Sequence, residues 1–125
     1  MQLEAATAMH DKSFWAALDR LVAAHVLTIE RPKGTMDAAE PGFVYPMDYG
    51  FLAGTVSTDG AGIDVWVGSL ATRRVTGVVY TVDEKKADVE VKLLIGCTRA
   101  EARQALLVHS RGLQSAMLVE RPDTA

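Results

Sequence analysis

Residues 45–67 constrain the fold more than any other stretch: Tyr-Pro-Met-Asp-Tyr-Gly-Phe is followed, after a short spacer, by Thr-Asp-Gly-Ala-Gly-Ile-Asp-Val-Trp-Val. Pro46 presets one backbone angle, Gly50 relaxes another, and Gly60 with Gly62 permits a sharp turn between Asp59 and Asp64. Asp64 opens the apolar run Val65-Trp66-Val67, which reads as a buried strand. Asp59 and Asp64 therefore flank one tight turn and can converge on a hard cation. An isolated Asp-Gly turn is more often a solvated surface hairpin. The surrounding pattern decides between the two.

Upstream, Phe14, Leu18, Leu21 and Val22 recur at helical spacing with Trp15 widening the stripe, and Asp11 or Ser13 can cap that helix. Residues 25–30 alternate as a half-buried strand, with Leu27 and Ile29 on one side and Val26, Thr28 and Glu30 on the other. Arg31-Pro32-Lys33-Gly34 ends it, and residues 35–42 read as a loop. Downstream, residues 75–82 form a β-branched strand and Asp83-Glu84-Lys85-Lys86 a turn. Residues 88–95 then alternate cleanly, with Val89, Val91, Leu93 and Ile95 opposite Asp88, Glu90, Lys92 and Leu94. Thr98-Arg99-Ala100-Glu101 is a capping box. Its helix lines its buried side with Ala102, Ala105, Leu106 and His109, stops at Gly112, and leads to a last strand over 116–119. This order predicts an α+β domain whose sheet curls toward a small barrel.

At 125 residues the chain is read as one domain spanning 1–125. A net charge of −3 offers no basic field for nucleic acid. No apolar run approaches the ~18 residues of a membrane span, and the first residues lack a leader pattern. The expectation is a soluble, cytoplasmic protein with no membrane partner. The lone Cys97 has no pairing partner within the chain and reads as a small core residue.

The acidic residues on turns and exposed strand faces are Glu30, Asp59, Asp64, Asp83, Asp88 and Glu90, with Lys33, Lys92 and Arg111 as cations. Carboxylates crowded into one cavity repel unless cations bind them. Oxygen-only donors point to Mg²⁺ or Mn²⁺, and such ions beside Lys or Arg are the usual equipment for phosphoryl transfer. A solvated strand face is the competing reading for Asp88, Glu90 and Lys92. No Gly-x-Ser-x-Gly elbow, phosphate loop or dinucleotide fingerprint is present. The histidines read as tail, strand-edge and helix-face residues.

Tyr45-Pro46-x-x-Tyr49-Gly50-Phe51 followed by Asp59-Gly60-x-x-x-Asp64-Val65 resembles the signature of family I soluble inorganic pyrophosphatases. Ile29-Glu30-x-Pro32, Asp83-Glu84, Glu90-Val91-Lys92-Leu93 and His109-Ser110-Arg111 resemble further elements of that family, so the likeness runs over about residues 27–119. It implies a small distorted, OB-like β-barrel of about five or six strands with an N-terminal and a C-terminal helix packed on it. It also implies hydrolysis of pyrophosphate, or a related phosphoanhydride, by water activated with several Mg²⁺ ions. On this resemblance Asp59, Asp64 and Glu90 hold the metals that activate water, with Asp88 as the alternative to Glu90, and Glu30 and Asp83 hold metals on the substrate side. Lys33, Lys92 and Arg111 bind phosphate with Tyr45 or Tyr49 orienting them, and Tyr49 joins Asp59 and Asp64 in the catalytic group. Ala61 stands where the family has its middle aspartate, Ser110 replaces a tyrosine, and the loop over 35–42 lacks the family's Lys-x-Glu pair. A catalytically degenerate phosphate binder or an oligomeric interaction module is the alternative. A homo-oligomer is expected in either case, because apolar strands and a wide helical stripe leave more apolar surface than one subunit covers.

Overall fold

The computed structural model describes residues 12–57 and 60–122. Helix α1 (Lys12–Ala23) precedes β1 (Val26–Arg31), β2 (Asp48–Ala53), β3 (Ile63–Val67), β4 (Val75–Asp83) and β5 (Asp88–Ile95), and helix α2 (Arg99–Val108) and β6 (Gln114–Glu120) follow. All six strands form one mixed sheet in the order β1-β2-β3-β5-β4-β6. The chain leaves β3, skips a position to lay down β4, and returns through the 84–87 turn to place β5 beside β3. That pairing is parallel, matching Asp64 with Lys92, Val65 with Leu93, Trp66 with Leu94 and Val67 with Ile95. The other ladders are antiparallel. The expected α+β architecture, a small barrel-like sheet with two helices packed on it, is what forms. Among the described residues no ladder joins β1 to β6, so the barrel stays open.

Alternation along the strands divides the apolar residues between two cores. On one face Trp15 and Val22 of α1 meet Leu52, Val65, Val75, Val78, Leu93 and Ile95. On the other Ala102 and Ala105 of α2 meet Met47, Trp66, Val79, Leu94 and Cys97. Each fully buried Val, Leu or Ile contributes about 1.5–3 kcal/mol, so the central strands are fixed by both helices together. Phe14 departs from the expected stripe: it is 46% exposed while Trp15 is 3% exposed. The larger indole takes the core position, with Leu18 and Val22 three and seven residues on, and Phe14 is left edge-on to it with centroids 5.5 Å apart. The capping box of α2 forms as expected, with Thr98 Oγ1 accepting from the Glu101 N–H and the Glu101 carboxylate accepting from Thr98 and Ser69. Burial works against the Glu101 charge, but those amides outweigh it and hold the carboxyl below its ordinary range. The Asp11 cap alternative lies outside the described residues. Among those described, no helix is long and apolar enough to cross a membrane.

Gly60 adopts φ +84° and makes the turn the sequence anticipates. Gly50 serves a different purpose from the one read in the sequence. It needs no unusual angle; a Cβ there would lie 1.9 Å from the Thr28 carbonyl oxygen of the adjacent strand. Its missing side chain lets β1 and β2 approach. Gly50→Ala is therefore expected to destabilise the protein by at least about 2 kcal/mol, as forced overpacking does. Urea unfolding checks this: a lower midpoint with an unchanged slope is the expected result, and an unchanged midpoint contradicts the close-approach argument.

Candidate active site

Registers across β2, β3, β5 and β4 put Phe51, Asp64, Lys92 and Val79 in one row, on the sheet face that carries α2. Period-2 alternation sets Tyr49 and Trp66 one step to one side of that row and Glu90, then Asp88, to the other. The Lys92 ammonium donates to Asp64 Oδ2 at 2.6 Å and to Glu90 Oε1 at 2.8 Å. The Lys92 side chain is 8% exposed, against 29% for Asp64 and 14% for Glu90. Burial alone would favour a neutral amine, but Tyr49 and the hydrogen bonds to Asp64 and Glu90 outweigh it and raise Lys92 above the usual lysine range. A buried ion group of this kind adds little net stability compared with apolar packing. It is a better candidate for chemistry than for architecture.

Tyr49 stacks against Trp66 with centroids 4.5 Å apart, and its hydroxyl interacts with Lys92 and Asp64. Burial, reinforced by Asp64, raises Tyr49 above the usual phenol range, so it remains a proton donor at neutral pH. Beyond it, Trp66 Nε1 donates to His109 Nε2 at 3.0 Å. The ring must therefore carry its proton on Nδ1, which lies 3.2 Å from Gln114 Oε1. Burial, with Lys92 nearby, pushes His109 down to about 4, so the imidazole is neutral across the physiological range.

The remaining predicted residues are dispersed. Asp83 and Asp88 face one another at the end of the β4–β5 hairpin, where Asp83 Oδ1 accepts from the Lys86 N–H at 3.0 Å. Burial and neighbouring Glu90 raise the Asp88 carboxyl. Glu30 is exposed at the irregularity of β1 between Ile29 and Arg31. Tyr45 donates to Asp37 Oδ2 at 3.2 Å instead of meeting Lys92, and burial, then Asp37, raises its hydroxyl. Lys33 is exposed, and it is its backbone N–H that reaches Asp48 Oδ1, at 2.8 Å. Arg111 pairs with Glu40, lies 4.5 Å from the Phe43 ring centroid, and donates Nε to the Val108 carbonyl at 2.8 Å. Ala61 is exposed, and Asp59 lies outside the described residues. Cys97 is buried, and that burial, with Glu101, pushes its thiol up to about 12, which suits a core residue. Asp37, Glu40 and Gln114 were not singled out in the sequence. Glu40 meets Arg111, 71 residues away, and no local pattern marks any of the three.

Among the described residues no group of three or more His, Cys, Asp or Glu side chains could hold a metal ion. Mg²⁺ is usually held by one or two carboxylates with waters and substrate phosphates, so an all-protein cage is not required. The Asp64 and Glu90 carboxylates, which converge on the Lys92 ammonium, supply oxygen donors of the kind that requirement names.

No protein-family model matches the sequence, and no curated protein matches it. Solved structures do. An inorganic pyrophosphatase from Coxiella burnetii superposes with a TM-score of 0.55 at 18% identity, over 78% of this chain and 84% of that one. Inorganic pyrophosphatases from Neisseria gonorrhoeae and Helicobacter pylori each give 0.53, at 17% and 16% identity, over 76% and 75% of this chain and 81% of theirs. The chain has the inorganic pyrophosphatase fold.

The depressed pKa of His109 generates a prediction. The unfolded histidine, with a pKa near 6.5, takes up a proton before the folded one does. Its stabilising contribution is thus complete above pH 6.5 and lost as pH falls from there through about 4. Urea unfolding of the natural protein and His109→Gln should show their stability difference shrinking by roughly 2–3 kcal/mol between pH 7 and pH 4.5. A difference independent of pH contradicts a neutral buried imidazole.

Proposed function

We propose that this protein hydrolyses pyrophosphate, or a related phosphoanhydride, to phosphate with Mg²⁺. The observation that carries the reading is the Asp64–Lys92–Glu90 group, with Tyr49 against it, on one face of a pyrophosphatase-fold sheet. Asp64 and Glu90, with Asp59, would hold the Mg²⁺ that activates water, Asp88 being the alternative to Glu90, and Asp83 and Glu30 would hold it on the substrate side. Bound Mg²⁺ supplies polarisation of the phosphate and a water acidic enough to react near neutral pH. Lys92 stays protonated and binds a phosphate oxygen, and Tyr49 donates a hydrogen bond beside it. Arg111 leaves Glu40 to bind a second phosphate oxygen, and Lys33 and Tyr45 close the substrate side. Ala61 supplies no carboxylate to take the proton of the attacking water, so turnover is slow.

One observation favours a second reading, a non-catalytic phosphate binder: Lys92 already neutralises the carboxylates, and position 61 carries a methyl group. Phosphate release from pyrophosphate with Mg²⁺ and with EDTA separates the two. For the enzyme, Ala61→Asp raises kcat on the order of 10²-fold, the lower end of what a positioned base contributes, and Asp64→Asn abolishes most turnover. No turnover in the natural protein or in Ala61→Asp, with pyrophosphate still bound in calorimetry, establishes the binder.

Binding to the folded state also stabilises it by mass action, so millimolar Mg²⁺ is expected to raise Tm, and Asp64→Asn to remove most of that rise. A Tm indifferent to Mg²⁺ and Mn²⁺ rejects the metal site. The homo-oligomer, in a cytoplasmic setting, belongs to the same proposal. Its support is that Phe14 is exposed on α1, and Tyr80, Val82, Val89 and Met117 are exposed on the sheet face carrying that helix. Light scattering showing a monomer at tens of micromolar rejects it.

A further inference from the structure

Beyond the C-terminal end of β5, away from the Lys92 group, lies a cavity of about 340 Å³ lined by Arg74, Arg99, Arg121, Thr98, Cys97 and Glu120 among others. In a chain of net charge −3, three guanidiniums against Glu120 and the Asp19 carboxylate that Arg121 holds still leave the surroundings positive. They are also held differently. Arg121 is fixed through a single nitrogen: its Nη1 donates to Asp19 Oδ1 and Oδ2 at 3.0 and 2.9 Å and to the Val75 carbonyl at 3.1 Å. The Nε and Nη2 edge of this 13% exposed side chain has no partner among the described residues. Arg99 reaches Glu120 only loosely, at 3.6 Å and 76% exposed, and the exposed Arg74 guanidinium has no partner among the described residues. The cavity is bordered by the start of α2, where the capping box uses the N–H groups of Thr98 and Glu101. Those of Arg99 and Ala100, in the first turn, have no intrahelical acceptor.

We propose that this cavity binds the phosphate group of a small molecule. The Arg121 fork presents two parallel donors of the kind that match phosphate oxygens, and the positive end of α2 adds to them. Arg74 and Arg99, long and loosely held, close over the anion at little cost to existing contacts. The volume suits a phosphate or a compact phosphomonoester and is at the lower end of small-ligand sites. The inference does not depend on hydrolysis at the Lys92 group, because no residue is shared.

The test is an NMR titration of the full chain at constant ionic strength, without Mg²⁺, using inorganic phosphate in one arm and glycerol phosphate in the other. Saturable shifts of the Cys97, Arg99 and Ala100 amides are expected; tighter binding of glycerol phosphate assigns an organic phosphate, and equal or weaker binding assigns the inorganic ion. Arg74→Ala with Arg99→Ala, both on exposed side chains, should weaken binding roughly tenfold, the effect of removing charge-assisted hydrogen bonds. Arg121→Lys, which keeps the charge but removes the fork, should weaken it similarly in a protein whose spectrum remains dispersed; if that variant does not fold, the double variant decides. Unsaturated drift, shifts confined to Tyr49, Asp64 and Lys92, or undiminished binding in the double variant overturns the proposal.

Discussion

The sheet depends on the pairing of β3 with β5. On one side lie β2 and β1, on the other β4 and β6, and among the described residues the ladder that joins the two blocks has four residue pairs. A parallel ladder is slightly weaker per residue than an antiparallel one and survives where both faces are covered. The two helices meet that condition. Val65 and Leu93 belong to the core under α1, while Trp66 and Leu94 belong to the core under α2. The seam is therefore clamped from both faces, and the Asp64–Lys92 ion pair crosses it within the same ladder.

A charged crossing at such a place shapes everything around it. Burial is the main influence on three neighbouring groups, and it acts on each according to its charge: Tyr49 keeps its proton, His109 refuses one, and Lys92 is kept charged only by its carboxylate and phenol neighbours. The outcome at neutral pH is an ammonium, a phenol and a neutral imidazole side by side. That is a donor-rich wall whose protonation pattern is fixed over a wide pH range. Trp66 links it mechanically to the helix, since its ring packs in the α2 core while its N–H holds His109.

Much of this architecture was legible in the sequence because it rests on local rules. The alternation over residues 88–95 placed Lys92, Glu90 and Asp88 on a common face, and the Thr98 to Glu101 spacing fixed the start of α2. The Asp64-Val65-Trp66-Val67 run announced β3. What was illegible depends on register between distant segments. Nothing near Gly50 says that Thr28 will press against it. The resemblance assigned Tyr45 and Arg111 to phosphate, but they pair with Asp37 and Glu40 from the 35–42 loop. The Phe14 stripe failed for another reason: of two adjacent aromatics, periodicity alone does not say which takes the core and which its edge.

Asp19 and Arg121 are separated by 102 residues. Asp19 Oδ1 also accepts from the Val75 N–H at 2.9 Å, so one carboxylate ties α1, the start of β4 and the chain just past β6. During synthesis, helix α1 and the first three strands leave the ribosome long before residue 121 exists. Until then Asp19 lacks its arginine, and the β3 edge waits for β5. A topology dominated by such distant pairings folds slowly, so the nascent chain carries an unpaired β3 segment and an unneutralised aspartate for most of its translation.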